Sequence, residues 1–219
     1  MISAYSSSVS LSLFTLVLFT ITFSSLQAQS PGVFGNKIFL VEVQSGLSFS
    51  WADLALADNS LSLEQEATFE NAFKAEVGIG LNYSLSPNLL AGFNLGTGFL
   101  TYDTEPRGTD NSFTNYQLGP YLRYHVPLNA LFSVFAQAGI NQNFLNSNVV
   151  ASSTYTHNYL DLGFNMKLKQ KWWVYLKFQN LLYFYTDDFN FEDRSGFGIS
   201  NPFTNFIDFP VFGVMYQLD

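Results

Sequence analysis

From Phe39 to Leu218 the chain alternates apolar and polar residues, stretch after stretch. A period of two commits such a chain to β-strands that each show one apolar face. In Phe39–Trp51 the odd positions read Phe, Val, Val, Ser, Leu, Phe, Trp, and the even ones include Glu42, Gln44 and Gly46. Phe73–Leu85 repeats this, with Val77, Ile79 and Leu81 against Lys74, Glu76, Gly78, Gly80 and Asn82. Leu89–Phe99 sets Phe93 and Leu95 against Gly92, Asn94, Gly96 and Gly98. In Tyr116–Val126 the parity switches, and Leu118 and Leu122 oppose Gln117, Gly119, Arg123 and His125. Leu131–Asn141, Tyr159–Lys169, Trp172–Tyr185 and Phe206–Leu218 complete eight segments, the last with the least defined register.

The connections alternate too. Ser86-Pro87-Asn88, Pro127-Leu128-Asn129 and Gln170-Lys171 are tight turns, whereas 52–72, 103–115, 142–158 and 186–205 are long and polar. Each segment reaches the roughly 9–11 residues that a tilted strand needs to cross a bilayer. Inside a bilayer every backbone polar group must be paired, so a spanning sheet must close. The pattern predicts an all-β fold, an eight-stranded antiparallel up-and-down transmembrane barrel with short turns at one end and long connections at the other. Pro120 and Pro210 fall inside the segments. A closed sheet has no edge to hide a missing donor, so a bulge or a strand end is expected at each.

The N-terminal region fits export. Leu11–Phe23 is thirteen residues of nearly unbroken apolar character, too short for a spanning helix, and Ala28 closes the region with a small residue. Residues 1–28 are expected to be a signal peptide and 29–219 the barrel domain. Met1–Ser10 carries no Lys or Arg, so only the terminal amine supplies positive charge there. The chain has no Cys, so its fold does not depend on disulfides. Charged residues are only 12%, about half the share usual in soluble domains, which suits a chain facing lipid. Net charge is −8, and 12 of the 17 acids fall in the groups Asp53–Glu70, Asp103–Asp110 and Asp187–Asp193. With no basic patch to neutralise phosphates, nucleic acid is not expected as a partner.

Leu118-Gly119-Pro120-Tyr121-Leu122-Arg123-Tyr124 resembles the Gly-Pro-aromatic-x-Arg-Tyr stretch of one strand in the small bacterial outer-membrane β-barrel domain family, the group of outer membrane protein A-like and W-like barrels. Val211–Leu218, with Gly213 and Tyr216, is similar to the closing strand of that family. The resemblance implies a Gram-negative outer-membrane location, contact with outer-membrane lipid, and handling by the barrel-assembly machinery during insertion. It implies no single activity, because the fold hosts pores, adhesins, enzymes and anchors.

The polar faces carry Glu42, Lys74, Glu76, Arg123, His125, Asp161, Lys167 and Lys177, four bases against three acids. An eight-stranded barrel is only wide enough for side chains to fill. Glu42, Glu76, Arg123, Gln137, Lys167 and Lys177 are therefore expected to form a paired lumen network, with a narrow ion path as the alternative. Gly163, on the polar parity, is expected to tolerate Ser. No catalytic set assembles around the two histidines, His125 and His157, and the spacing of His157 with Asp161 at the rim is too generic to make one. Asp188–Asp193 alternates oxygen ligands but lacks the glycine of a Ca²⁺ loop. No cofactor, metal or enzymatic role is expected. Trp51, Tyr83, Tyr124, Trp172, Trp173 and Tyr185 are expected at the two membrane interfaces. The expected role is structural, or surface interaction through acidic external loops. The alternatives are a narrow channel for small solutes and a barrel enzyme acting on lipid or peptide.

Overall fold

The computed structural model describes residues 32–35, 37–49, 54–55, 68–104, 109–148, 153–187, 194–198 and 210–218. The expected signal peptide and the Asp188–Asp193 loop lie outside them. In chain order the strands are β1 (Phe39–Phe49), β2 (Leu54–Ala55), β3 (Thr68–Ser86), β4 (Leu89–Thr104), β5 (Thr109–Pro127), β6 (Phe132–Ser147), β7 (Ser153–Lys169), β8 (Trp172–Asp187), β9 (Arg194–Gly198) and β10 (Val211–Gln217). Antiparallel pairing runs β1-β10-β8-β7-β6-β5-β4-β3, and β3 pairs back onto β1. Eight strands thus close a barrel, while β2 and β9 extend the sheet beside β3 and β8.

Alternation sorts the faces as expected. Phe39, Val43, Leu47, Val77, Ile79, Leu81, Phe93, Leu95, Phe164, Phe212 and others are exposed around the outside, a continuous apolar band. Glu42, Gln44, Asn82, Arg123, Gln137, Asp161, Asn165 and Lys177 are buried within the ring. Interior polarity and exterior hydrophobicity invert the soluble pattern, which is the arrangement a lipid solvent imposes.

Strands at the long-connection end outrun the apolar alternation. β3 and β5 are 19 residues each and β7 is 17. The stretches 103–115 and 142–158, read as long connections, are mostly strand: β4 pairs with β5 up to Thr104↔Thr109, and β6 pairs with β7 up to Leu145↔Ser153. Beyond the lipid level neither face of a strand need be apolar, so pairing continues where alternation has stopped.

The prolines divide. Pro210 immediately precedes β10, so it sits at a strand start. Pro120 causes no bulge. Leu118↔Gln142 and Tyr121↔Gly139 keep one register across the β5–β6 seam, and only the pairs at Gly119 and Pro120 drop out. A Cβ at Gly119 would run into the Ile140 carbonyl, so the absent side chain lets the strands stay close where the donor is missing.

The interior aromatics follow a rule. Tyr121, Phe135, Tyr159 and Tyr175 each lie across the cross-strand partner of their own row, Gly92, Gly163, Gly139 and Gly213 respectively. At each glycine a Cβ would collide with the ring. Gly163 is therefore not open lumen, and a Ser there would meet the Phe135 ring and the Leu176 carbonyl. Tyr183 and Tyr185 repeat the device on Gly198 and Gly196.

The stretch formed by residues 33–35 and 37–38 was not anticipated as structure. It folds under the turn end of the barrel: Phe34 N–H donates to the Pro87 carbonyl at 2.9 Å, Val33 N–H to Asn88 Oδ1 at 3.1 Å, and Ser84 Oγ–H to the Gly35 carbonyl at 2.7 Å. Phe34 is thereby buried in a cluster with Leu40, Leu90, Phe135, Trp173, Tyr175 and Met215.

Candidate functional site

The centre of the lumen is a buried ion pair. Glu42 enters from β1 and Arg123 from β5, and the guanidinium grips the carboxylate with both terminal nitrogens, at 2.8 and 3.0 Å. The two side chains are 3% and 0% exposed. Glu42 also accepts from Tyr175 OH at 2.6 Å and from Asn82 Nδ2 at 3.3 Å. Tyr121 OH donates to Asn82 Oδ1 at 2.6 Å. Arg123 Nε donates to Gln137 Oε1 at 2.8 Å, and Gln137 Nε2 donates to Tyr159 OH at 3.1 Å. The guanidinium carbon lies 5.3, 4.8 and 4.9 Å from the ring centroids of Tyr121, Phe135 and Tyr175. A planar, weakly hydrated cation suits such a setting, because the rings contact its faces while its edge donors hold oxygens.

A second pair uses a bulge. Leu160↔Leu182 gives way to Leu162↔Phe178, which leaves Gln179, Asn180 and Leu181 opposite Asp161. Asn180 takes a left-handed φ of 55°, a conformation Asn tolerates better than most residues. Its N–H turns inward and donates to Asp161 Oδ1 at 2.8 Å. Lys177 Nζ stands 3.5 Å from Asp161 Oδ2 and donates to Gln44 Oε1 at 3.0 Å.

Four of the six residues expected in the network thus meet within two neighbouring clusters: Glu42, Arg123 and Gln137 in one, Lys177 in the other. Glu76 belongs to a third group toward the long-connection end, where it pairs with Lys74 at 3.3 Å and accepts from Gln179 Nε2 at 2.8 Å. Lys167 lies apart, near the turn end, with its ammonium 5.5 Å from the Trp173 ring centroid. Asn165 donates to Ser133 Oγ at 3.3 Å. The reading from residues missed Tyr121, Tyr159 and Tyr175 as members. Their signal was present in the register, since each faces a glycine across the strand pair.

The histidines make no open site. His125 is fully buried at the turn end, Nδ1 3.3 Å from Ser133 Oγ, its ring edge-on to Phe34 at 4.8 Å. His157 packs 5.9 Å from Tyr159 and 5.8 Å from Tyr183, while Asp161 is turned to Lys177 and Asn180. Among the described residues no group of three or more His, Cys, Asp or Glu could hold a metal. The aromatics divide against expectation. Tyr83 and Trp172 stand outside, beside Phe39 and Tyr216. Trp173 and Tyr124 are buried, and Tyr185 lies against Gly196. Trp51 falls outside the described residues.

A closed, lipid-faced ring of eight strands with a polar, side-chain-filled interior defines the class of integral outer-membrane barrels. The chain belongs to the outer membrane protein beta-barrel domain family, which it matches over residues 15–203, and its location is the outer membrane. Comparison with curated protein sequences gave no match. Similar solved structures include Neisserial surface protein A, at 12% identity, TM-score 0.48 and coverage of 83% of this chain and 97% of that one. The outer membrane protein OprG from Pseudomonas aeruginosa is 13% identical, with TM-score 0.46 and coverages of 84% and 98%. Ail of Yersinia pestis is 8% identical, with TM-score 0.39 and coverages of 84% and 100%.

Proposed function

We propose that this protein is a sealed barrel, an anchor whose working surface is the projecting rim at its long-connection end rather than its lumen. The observation that carries this reading is the double closure of the interior. The Glu42–Arg123 pair and its tyrosines occupy the middle of the ring, and Phe34 and its neighbours fill the turn end. Eight strands leave no width for a water column beside such side chains. The rim offers what the lumen does not: paired strand that runs beyond the apolar band, bearing most of the chain's acids in or beside its connections. Surface interaction through that acidic rim is the role this arrangement supports, and none of the contacts above supplies a nucleophile that a substrate could reach.

The test is conductance. Purified protein in planar bilayers should show no steady channel activity at neutral pH. Robust, ion-selective conductance from the wild-type chain would replace this reading with that of a narrow channel.

A further inference from the structure

Nine bases serve the whole chain, and four of them, Lys37, Lys167, Lys169 and Lys171, stand at the turn end. Among the residues whose side chains are described, no acid is exposed there. The most closely spaced three flank the β7–β8 turn, and the backbone there does something specific. Lys167 pairs with Trp173, an inward residue buried in the lumen. A register shift follows, and Lys169 pairs with Trp172, an outward residue that is 43% exposed. Without the shift, alternation would turn Lys169 inward like Lys167. The bulge instead places it on the outer wall, in one row with Trp172 and Tyr216 across β7, β8 and β10.

This row borders an open recess of about 530 Å³ lined by Lys169, Gln170, Lys171, Trp172 and Tyr216. The Trp172 and Tyr216 rings pack at 4.6 Å, and the Gln217 N–H donates to the Lys171 carbonyl at 2.9 Å, which ties the turn to β10. Along the strands the patch continues into exposed Leu168, Phe212 and Val214 of the apolar band. Lysines and an aromatic step stand side by side at the turn end, and an apolar wall follows above them.

We propose that this recess is a headgroup site for an anionic phospholipid of the leaflet at the turn end. The phosphate and its net negative charge would meet Lys169 and Lys171, the glycerol region would lie on Trp172 and Tyr216, and the acyl chains would run along Leu168 and Phe212. Charge complementarity selects the lipid: a net anion gains from two lysines at the surface, and a zwitterion, whose cationic group offsets its phosphate, gains less. The order of headgroup and chains also matches the lysine and aromatic edge at the turn and the apolar wall above it.

Native mass spectrometry of the protein in mild detergent tests this, with equimolar phosphatidylglycerol and phosphatidylcholine offered together. Wild type should retain phosphatidylglycerol over phosphatidylcholine by roughly fivefold or more, the scale set by one to two lysines at a membrane surface. K169Q/K171Q, whose heat-modifiable gel shift reports folding, should bring the two lipids to near parity. K37Q, a turn-end lysine outside the recess, should keep the preference. Inorganic phosphate at millimolar concentration should leave the lipid adduct in place. Equal retention by wild type would overturn the site, as would a preference that survives K169Q/K171Q or is lost in K37Q. Displacement by inorganic phosphate would reduce the recess to a plain anion site and overturn the lipid assignment.

Discussion

Glu42 accepts hydrogen bonds from three other strands at once, through Arg123 on β5, Tyr175 on β8 and Asn82 on β3. Removing Arg123 strands this carboxylate where water cannot replace the lost partner. R123M should therefore cost about 3–5 kcal/mol, the scale for breaking a buried pair. The urea midpoint of the heat-modifiable band reads this directly. E42L/R123M removes both charges and should lose less than R123M alone; a double variant no more stable than the single would deny the coupling. That Glu42 and Arg123 both face the lumen was legible in the sequence, because they share the polar parity of their strands. The finer placements were not. Parity tells which face a side chain takes but not its height, so Glu76 and Lys167 were expected in a network that lies at another level from either. Gly163 was misread for a related reason: parity puts it inside, and only the register shows that Phe135 already fills its space.

At the scale of elements, the eight barrel strands and three tight turns were readable because lipid imposes a strict alternation wherever a strand crosses it. Two features lay beyond that signal. Strand length above the apolar band was hidden, since paired backbone there needs no apolar face and reads as polar loop. Residues 33–35 and 37–38 were hidden because they are too few for any period and are held by backbone bonds to Pro87 and Ser84 and by the Asn88 side chain. Their anchor is Phe34, 5.2 Å from Trp173 and wholly within the apolar cluster. F34A should cost about 3 kcal/mol, the low end for deleting a buried aromatic, and should open the turn end to solvent. In a chain with W51F and W172F, Trp173 fluorescence should then become quenchable by acrylamide; unchanged quenching would show that Phe34 does not seal the lumen. The outward face makes an independent demand. Leu162 is 45% exposed in the apolar band of β7, so L162R should cost about 2–4 kcal/mol near the bilayer midplane. G163S should also impair folding, through collision with Phe135. Refolding yield into lipid vesicles compares the two, and full tolerance of L162R would place the band elsewhere.

For the whole molecule the question is which way the barrel faces. The two ends differ in charge and in the length of chain they must carry across a membrane. The turn end carries exposed lysines and connections such as Leu128–Leu131 and Gln170-Lys171. The other end carries strand extensions and acidic connections that include Asp103–Asp110 and Asp187–Asp193. Outer-membrane barrels keep short turns on the periplasmic side and longer loops outside. The same orientation puts the lysine recess against the inner leaflet and the acidic rim against the medium, so one measurement bears on both surfaces. The absence of Cys allows single-cysteine labelling without background from the chain itself. Thr154, exposed near the start of β7, and Ala130, exposed in the β5–β6 turn, mark the two ends. In intact cells a membrane-impermeant maleimide should label T154C and spare A130C. After the outer membrane is permeabilised, A130C should label as well. The reverse pattern would invert the barrel, put the acidic rim in the periplasm and deny it any role in contacts at the cell surface.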